Sequence, residues 1–593
     1  MINLPPGLIL ILGALLIPLL KGRAKSVYVI ALPLFGFLNL LCLPGEGTLW
    51  TVQFLNFEMI FGRIDKLSLI FGNIFSLITI IGFIYILHTR DDLEYLSGMV
   101  YAGSALGVVF AGDLLSLFVF WEMLTLCAVG LTLARRTNPS KQAAMRYLLF
   151  HVAGGVILLA GIALYAVEHG TLAFDRIGLN SLASWLIFLG FGVNCAWPLL
   201  HTWLPDTYPE ASIGGVIFMA TFTTKTAVYV LARSFPGESI LMWIGAAMTT
   251  FPIFYAVLEN DLRRVLSYSL INQVGFMVVG IGIGTDLAIN GTAAHAYCHI
   301  LYKALLFMSI GAVIHRTGKS KATELGGLYR SMPLTCIFCC IGAASISAFP
   351  FFSGFVSKSM VMTAAAEGHH TIIWLALLFA SAGVLHHAGI KIPFCAFFSH
   401  DSGIRVKEAP TNMLVAMGIA AFLCVFLALP IPGGYHVLYG MLPNAAEYTP
   451  YTFAHVNGQF LLLMFAVLAF ALLLLAGLHP AETRATNVDF DFVYRRGAAA
   501  FYSVSAKVLN GINRLARKVF VDQLIDCVGR FIQAGPSWLL TRSANLLWRF
   551  EGLDREQRLE RHDLLQKQFQ TSSFPIGFTA LLAVILMAAL FFM

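Results

Sequence analysis

Apolar stretches of about 20 residues recur along the whole chain of 593 residues. Each is long enough to cross a hydrocarbon core of about 30 Å, because an α-helix rises about 1.5 Å per residue. Only 12% of the residues are charged, against about 25% in soluble domains. This composition excludes a large soluble enzyme with one core, and the sequence predicts an all-α polytopic membrane protein.

We place about 16 transmembrane helices on these stretches and interpret the first as a membrane helix rather than a cleaved signal peptide. Lys and Arg concentrate in alternate connections, which predicts a multi-pass protein with its N-terminus outside. The spans lie near residues 4–20, 26–43, 65–87, 96–112, 114–134, 146–167, 183–203, 212–233, 239–258, 265–284, 292–315, 333–363, 371–398, 412–432, 457–478 and 574–592.

Two of the spans contain a proline within an apolar run. Span seven contains Trp197-Pro198 and span twelve contains Phe349-Pro350. Because proline removes a backbone donor and clashes with the preceding turn, each helix should break inside the membrane. Broken backbone at that depth is tolerated where it is buried in protein or lines a wet cavity. The breaks therefore indicate either two structural repeats around transport sites or ordinary proline kinks.

The region 481–573 is rich in charge and holds no clear spanning segment. Its apolar residues recur at helical spacing beside lysines and arginines, which predicts an amphipathic helix lying along the membrane or along other subunits. We expect Gly529 and Gly535-Pro536 to interrupt this helix and the apolar stretch 574–592 to anchor it. The residues with helical spacing are Val508, Ile512, Leu515 and Val519.

Ionisable side chains lie inside several of the spans. A charge at the bilayer centre costs about 2.5–3.5 kcal/mol on the mild insertion scale, so each needs a partner or a water-lined path. His299 and Lys303, like His387 and Lys391, are four residues apart and share a helix face. One such site is also explained by an ion pair or a lysine that reaches the interface. A row of them is typical of a proton relay, and its members are Glu122, Lys225, His299, Lys303, Lys358 and Lys391.

The sequence lacks the motifs of soluble catalysis: it contains no Gly-rich phosphate loop, nucleophile elbow or zinc signature. Cys336, Cys339 and Cys340 lie in an apolar run without a second ligand pair, so we interpret them as buried hydrophobic residues. The net charge of +7 lies in short loops and does not indicate nucleic acid. We therefore expect a transporter subunit rather than an enzyme, with no metal and no cofactor.

Six strings occur in order between residues 60 and 400: Phe120-Trp121-Glu122, Pro198 through Asp206 with Glu210-Ala211, Thr224-Lys225-Thr226, Asp261 through Arg264, His299 through Phe307, and Gly354 through Lys358. Together they resemble the antiporter-like subunits of respiratory complex I, of Mrp-type multisubunit cation/proton antiporters and of membrane-bound hydrogenases. The sequence is most similar to the D-type subunit of the antiporters. Its C-terminal segment is similar to the lateral helix of the largest complex I subunit.

The resemblance implies two inverted five-helix repeats, over residues 96–258 and 265–432. A three-span region at 1–90 would precede them, and a last span, the lateral segment and an anchor helix would follow at 457–593. The resemblance also implies a hetero-oligomer with other membrane subunits in the inner membrane of a prokaryote. That complex would exchange Na⁺ for protons, with proton pumping in an NADH-quinone oxidoreductase or hydrogenase complex as the alternative.

Roles within the row follow from the same resemblance. Glu122 would be the acidic partner near the site of proton uptake, Lys225 the bridging lysine, His299 the central relay and Lys358 the lysine near the exit. The supporting residues are His201, Asp206, Glu210 and His387.

The sequence departs from the family pattern at two positions. Asn194 stands where the family has a lysine that pairs with the glutamate, and Gln273 replaces a frequent histidine. Neither side chain can carry a proton by changing its charge. Either Glu122 pairs with Lys225 instead, or the subunit is a scaffold or coupling element that does not transport. A partner in the uptake of bicarbonate or another solute is a third alternative.

Overall fold

The computed structural model describes residues 4–54, 57–477, 483, 487–570 and 576–591. The chain separates into two compact units, Met1–Phe490 and Asp491–Met593. The helices of the first unit are α1 Pro6–Ala14, α2 Gly22–Leu41, α3 Lys66–Ile86, α4 Asp92–Phe110, α5 Leu114–Leu133, α6 Asn138–His169, α7 Leu182–Asn194, α8 Trp203–Thr207, α9 Gly215–Ser234, α10 Ser239–Leu258, α11 Leu262–Ile283, α12 Asp286–Thr317, α13 Pro333–Ile346, α14 Ser353–Glu367, α15 Thr371–Val384, α16 Lys391–Pro393, α17 Thr411–Phe426, α18 Tyr435–Gly440 and α19 Phe453–Leu475.

Within the described residues, eleven helical segments are long and apolar enough to cross a membrane. Shorter apolar helices lie at Pro6–Leu19, Leu182–Asn194, Pro333–Ile346 and Thr411–Phe426. The expected multi-pass helical architecture is confirmed, whereas the figure of about 16 spans and the inverted repeats stay predictions.

Aspartates begin four of the long helices. Their side chains accept hydrogen bonds from backbone N–H groups of the first turn, at 2.8 Å from Ser68 to Asp65 and at 2.9 Å from Leu93 to Asp91. Such caps satisfy backbone donors that have no partner inside the helix. They also fix where the chain enters each helix, and the other two capping residues are Asp113 and Asp261.

The prediction of an all-α chain is wrong between α2 and α3. Strands β1 (Gly47–Phe54) and β2 (Phe57–Ile64) form a two-stranded antiparallel sheet, in which Gly47 lies opposite Ile64 and Phe54 opposite Phe57. The segment is rich in β-branched and aromatic residues, which favour strands, and is too short and polar to cross a bilayer as a helix.

Both expected helix breaks are confirmed, and they have the same backbone geometry. In the first break, Ala196 and Leu199 adopt positive φ angles of 59° and 71° on either side of Pro198. In the second, Ala348 and Phe351 adopt 57° and 71° around Pro350. Left-handed backbone is strained for residues other than glycine. A strained turn that occurs twice supports the proposal of two related repeats.

The segment Thr371–Phe398 is one continuous helical run that contains two π-helical turns, Leu385–Ile390 and Phe394–Phe398. Such turns occur often at functional sites, because the extra residue turns the following side chains to a new direction. The periodicity of the sequence predicts an uninterrupted span here and misses both turns.

The second unit contains α20 (Asp491–Ala516), a π-helical turn at Arg517–Gln523, α21 (Leu524–Phe550), α22 (Arg555–Gln570) and α23 (Ile576–Phe591). The expected interruption at Gly529 and Gly535-Pro536 is wrong, since α21 runs through all three positions. Glycine costs a helix only about 1 kcal/mol, and a proline can kink a helix rather than end it. Residues 478–482, 484–486, 571–575 and 592, which belong to the predicted last spans and lateral segment, lie outside the described residues.

The centre of the first unit is built from α9, α11 and α12. Every residue of α9 is buried, and α11 and α12 are buried along nearly their whole length. Ordinary membrane helices present an apolar face to lipid, whereas these three are surrounded by protein. They therefore provide a setting enclosed by protein for ionisable groups such as Lys225, His299 and Lys303.

Candidate functional site

Lys225 lies at the middle of α9 and is fully buried. Its Nζ donates to the carbonyl of Ala220 at 2.6 Å and to the hydroxyl of Thr224 at 3.2 Å. Among the described residues, no carboxylate lies within 4.0 Å of this amine. A lysine that has only neutral oxygen partners can gain or lose a proton without breaking an ion pair.

Three basic residues follow one face of α12 at intervals of four residues: His295, His299 and Lys303. All are buried, and the rings of His295 and His299 are 6.2 Å apart. Neither ring nitrogen of His299, nor Nζ of Lys303, has a hydrogen-bond partner among the described residues. The Lys303 amine lies 5.9 Å from the centre of the Phe307 ring.

His295 is a residue that the sequence interpretation missed. Its Nδ1 lies 3.1 Å from the hydroxyl of Ser357, on the second half of the broken span α13–α14. The regular spacing of His295, His299 and Lys303 was the available signal, because such residues share one face of a helix.

Lys358 lies one turn into α14, directly after the second break. Its Nζ donates to the carbonyl of Ile346, the last residue of α13, at 3.2 Å and lies 5.0 Å from the centre of the Phe276 ring. The C-terminal end of a helix carries partial negative charge, which stabilises a cation. The break thus places the negative end of the α13 dipole, rather than a carboxylate, beside the Lys358 amine.

These basic groups form a connected cluster, which we call the buried polar row: Lys225, His295, His299, Lys303 and Lys358. The charges of the other four members all act electrostatically on His299. Lys303 in turn acts on His387, which is buried on the first π-helical turn. The structure therefore brings four of the six predicted path residues together and adds His295 to them.

Glu122 stands apart from the row. Its carboxylate packs against Gly155 of α6, where an added Cβ would lie 2.1 Å from Oε1. Oε1 is buried and has no hydrogen-bond partner among the described residues. Asn194, the last residue of α7, is buried with Nδ2 likewise unbonded within the described part of the chain. The alternative ion pair between Glu122 and Lys225 is absent from the part of the chain that the structure describes.

Gln273 belongs to a fixed network of neutral groups. Its Nε2 donates to Asn272 Oδ1 at 2.6 Å, and the hydroxyl of Tyr302 donates to its Oε1 at 3.2 Å. Asn272 donates in turn to the carbonyl of Thr249. The network links α10, α11 and α12 through groups that do not change charge.

Lys391 and two of the supporting residues have structural partners. Lys391 Nζ donates to the carbonyls of Val257 and Glu259, at 2.6 and 2.7 Å, and so caps the end of α10. Asp206 accepts two hydrogen bonds from Arg146, at 2.7 and 2.9 Å, and Glu210 accepts one from Arg135 at 3.1 Å. The fourth supporting residue, His201, contacts Asp489.

A cavity of about 360 Å³ lies beside Lys358. Thr363 of α14 and His455 of α19 line it together with Lys358. Nδ1 of His455 lies 3.3 Å from the hydroxyl oxygen of Tyr448. The cavity is large enough for several water molecules. Among the described residues no group of His, Cys, Asp and Glu has the geometry of a metal site.

Comparisons with known proteins give a family match and several similar sequences. Residues 111–383, which include α9, α11 and α12, match the family described as NADH:quinone oxidoreductase/Mrp antiporter, TM. Hydrogenase-4 component B of Escherichia coli (strain K12) is 28% identical over an alignment that covers 56% of this chain and 55% of the relative. The D-type Na(+)/H(+) antiporter subunit of Alkalihalophilus pseudofirmus is 29% identical, covering 45% and 58%. The chain thus spans a little over half the length of these curated relatives.

The fold has a counterpart among solved structures. A chain of the Mrp complex from Dietzia sp. DQ12-45-1b superposes with a TM-score of 0.66 at 19% identity, covering 74% of this chain and 95% of that one. At this identity the likeness concerns the fold alone. Residues 111–383, a little under half of the chain, are thus similar to the family of NADH:quinone oxidoreductase and Mrp antiporter membrane subunits.

Proposed function

We propose that this chain is the proton-translocating membrane subunit of a multisubunit Na⁺/proton antiporter, similar to the D-type subunit of those complexes. The observation that carries the proposal is the buried polar row, because its five basic groups lie on α9, α12 and α14 without a carboxylate partner among the described residues. Charged groups at this depth are costly, so a row of them is retained where a proton is passed. The resemblance of residues 111–383 to the antiporter family supports the same function.

The row can pass a proton because its members are linked through their charges. A proton that binds Lys225 repels a proton on His299 or Lys303, and this coupling moves charge along the row by Coulomb interaction. The dipole of α13 stabilises the charge on Lys358. The cavity beside Lys358 supplies the room for water that the last step requires.

A second candidate is a membrane subunit of a redox-driven complex. The similarity to Hydrogenase-4 component B favours this alternative. The isolation of Glu122 and the neutral Asn194 and Gln273 favour a scaffold or coupling role, in which the row does not conduct. In each case we propose partners among other membrane subunits and a place in the inner membrane of a prokaryote.

Sealed membrane vesicles that contain the complete complex test the proposal. The substitutions E122Q and K225A should each reduce proton movement on addition of NaCl by about tenfold or more, because Lys225 belongs to the buried polar row and Glu122 is the acidic group predicted near the site of proton uptake. Acridine orange fluorescence reports the pH difference. The matched controls E168Q and K141A alter exposed residues of α6 and should leave the rate unchanged.

The same vesicles separate the alternatives. Proton movement that begins on addition of an electron donor and is independent of NaCl supports the redox-driven complex. Wild-type rates of proton movement in both E122Q and K225A would contradict the proton relay and favour the scaffold role.

A further inference from the structure

Asp489, in the segment after α19, lies buried against the first helix break. Its Oδ2 lies 3.1 Å from Nε2 of His201 and accepts a hydrogen bond from the hydroxyl of Tyr268 at 2.7 Å. The backbone N–H of Phe490 donates to Oδ1 at 2.6 Å. Asp489 is 8% exposed and His201 is 3% exposed. This contact joins the break between α7 and α8, the helix α11 and a segment far along the chain.

The contact determines which nitrogen of His201 carries a proton. An ionised carboxylate can only accept hydrogen bonds, so Nε2 of His201 must be the donor. In the neutral ring, Nδ1 then holds a free lone pair. Nδ1 is buried and has no hydrogen-bond partner among the described residues. His201 therefore keeps a proton-accepting atom open while its other nitrogen is held.

Asp489 can stabilise a positive charge on the His201 ring. Burial by itself raises the pKa of Asp489, but the hydrogen bonds from His201 and Tyr268 and the charge of His201 lower it below its usual range. The carboxylate is therefore negative near neutral pH and stabilises an imidazolium beside it.

The remaining charged groups around the break have partners of their own. Arg264 Nη1 lies 3.9 Å from Glu259 Oε2, and Arg146 is paired with Asp206 on α8. Their opposite charges largely cancel, so Asp489 is the carboxylate that acts directly on the ring. Arg264 of α11 and Glu259 at the end of α10 act electrostatically on Tyr268, which donates to Asp489, and Arg146 of α6 is paired with Asp206 of α8.

We propose that His201 and Asp489 form a proton-accepting pair at the first break, in which His201 takes up the proton and Asp489 is the positioning residue. The proton binds the Nδ1 lone pair, Nε2–H stays bonded to the carboxylate, and release of the same proton restores the neutral ring. This inference rests on the proposed function. Asn194 stands where the family has a lysine and lies on the same broken span. His201 therefore places a group that can bind a proton on this span.

The pH dependence of transport by the complete complex tests the pair. In D489N the protonated ring loses its negative partner, so the pH at which the transport rate is half-maximal should move lower by about one unit or more. D489E keeps the charge and should restore the wild-type profile. The matched control D491N removes a carboxylate that pairs with Arg495 at 2.8 Å, and should change nothing.

An infrared titration of the purified complex gives a readout that does not depend on transport. The imidazole band that disappears in H201Q identifies His201, and its titration midpoint should be lower in D489N than in the wild type. Equal titration midpoints in D489N and the wild type would contradict the proposed pair. If D489N does not assemble, the transport profile of H201Q decides, because loss of the proton acceptor should flatten it and an unchanged profile contradicts the proposal.

Absence of NaCl-driven proton movement in wild-type vesicles contradicts the proposed antiporter, and the infrared titration then decides whether the pair exists. The two failures are therefore distinguishable.

Discussion

The three lysines of the buried polar row are held in three different ways. Lys225 folds back on its own helix and bonds to neutral oxygens, Lys358 caps the end of α13, and Lys303 has no hydrogen-bond partner among the described residues. The free energy of the charged form therefore differs among them, since a dipole stabilises a cation more than an apolar wall does. Unequal sites are what a directional relay needs, because a proton moves from the weaker acceptor to the stronger.

At the residue scale, Gly155 controls the position of Glu122. In G155A the new Cβ would lie 2.1 Å from Oε1 of Glu122, and because this is the far end of a flexible side chain, the carboxylate shifts while the helices stay in place. We expect proton movement in vesicles to fall by about tenfold, since a small misplacement of a reacting group is costly.

The matched control for this prediction is G497A on α20, where an added Cβ meets no atom within 4 Å. Both variants should assemble to the wild-type level. Normal transport by G155A would show that the position of Glu122 is unimportant.

At the element scale, local chemistry explains which parts of the fold the sequence could predict. Pro198 and Pro350 marked both breaks correctly, because the effect of proline on a helix is local. Gly529 and Gly535-Pro536 were misleading, since α21 runs through all three: one glycine costs too little to end a long helix, and a proline can kink a helix without ending it. The pair of His201 and Asp489 was unpredictable from local patterns, because the two residues are 288 positions apart in the chain.

The end of α3 contains a pH-sensitive contact. Burial, together with the charges of His315 and Arg316, lowers the pKa of His88 to about 4. The Nδ2 amide of Asn412, on α17, lies 3.2 Å from His88 Nδ1 and also donates to the carbonyl of Tyr85. The neutral imidazole thus joins α3 to α12 and α17.

We expect the melting temperature of the purified protein to fall as the pH is lowered. The unfolded chain binds a proton at His88 near pH 6.5, whereas the folded chain binds it only near pH 4, so stability is complete above the first value and lost towards the second. H88Q should weaken this dependence. H169Q, at an exposed position on α6, should keep it, and a wild-type slope in H88Q would contradict the assignment.

At the scale of the whole molecule, an ion pair connects α9, at the centre of the first unit, to the start of α3. Arg233, near the end of α9, donates to both oxygens of Asp65 at 2.7 and 2.9 Å. Asp65 also begins α3, so the pair connects two helices that lie far apart in sequence. Its loss would leave a buried guanidinium without its carboxylate.

D65N keeps the helix cap but removes the charge, and we expect it to destabilise the folded protein by about 3 kcal/mol. The matched variant D401N breaks the exposed pair between Asp401 and Arg405, which are 2.6 Å apart, and should change the melting temperature little. Melting temperatures of the two purified variants give the comparison. Equal temperatures would mean that the Asp65 pair contributes no more than a surface contact.

The complete burial of α9 has a consequence for how the protein is made. A helix that never touches lipid in the folded state still passes through the insertion machinery as a single segment, with Lys225 and Arg233 exposed. On its own this segment is a poor substrate for lateral release into the bilayer, since the central charge of Lys225 opposes it. Biogenesis of this subunit therefore depends on neighbouring helices that receive α9 as it emerges, and the order of synthesis becomes part of the fold.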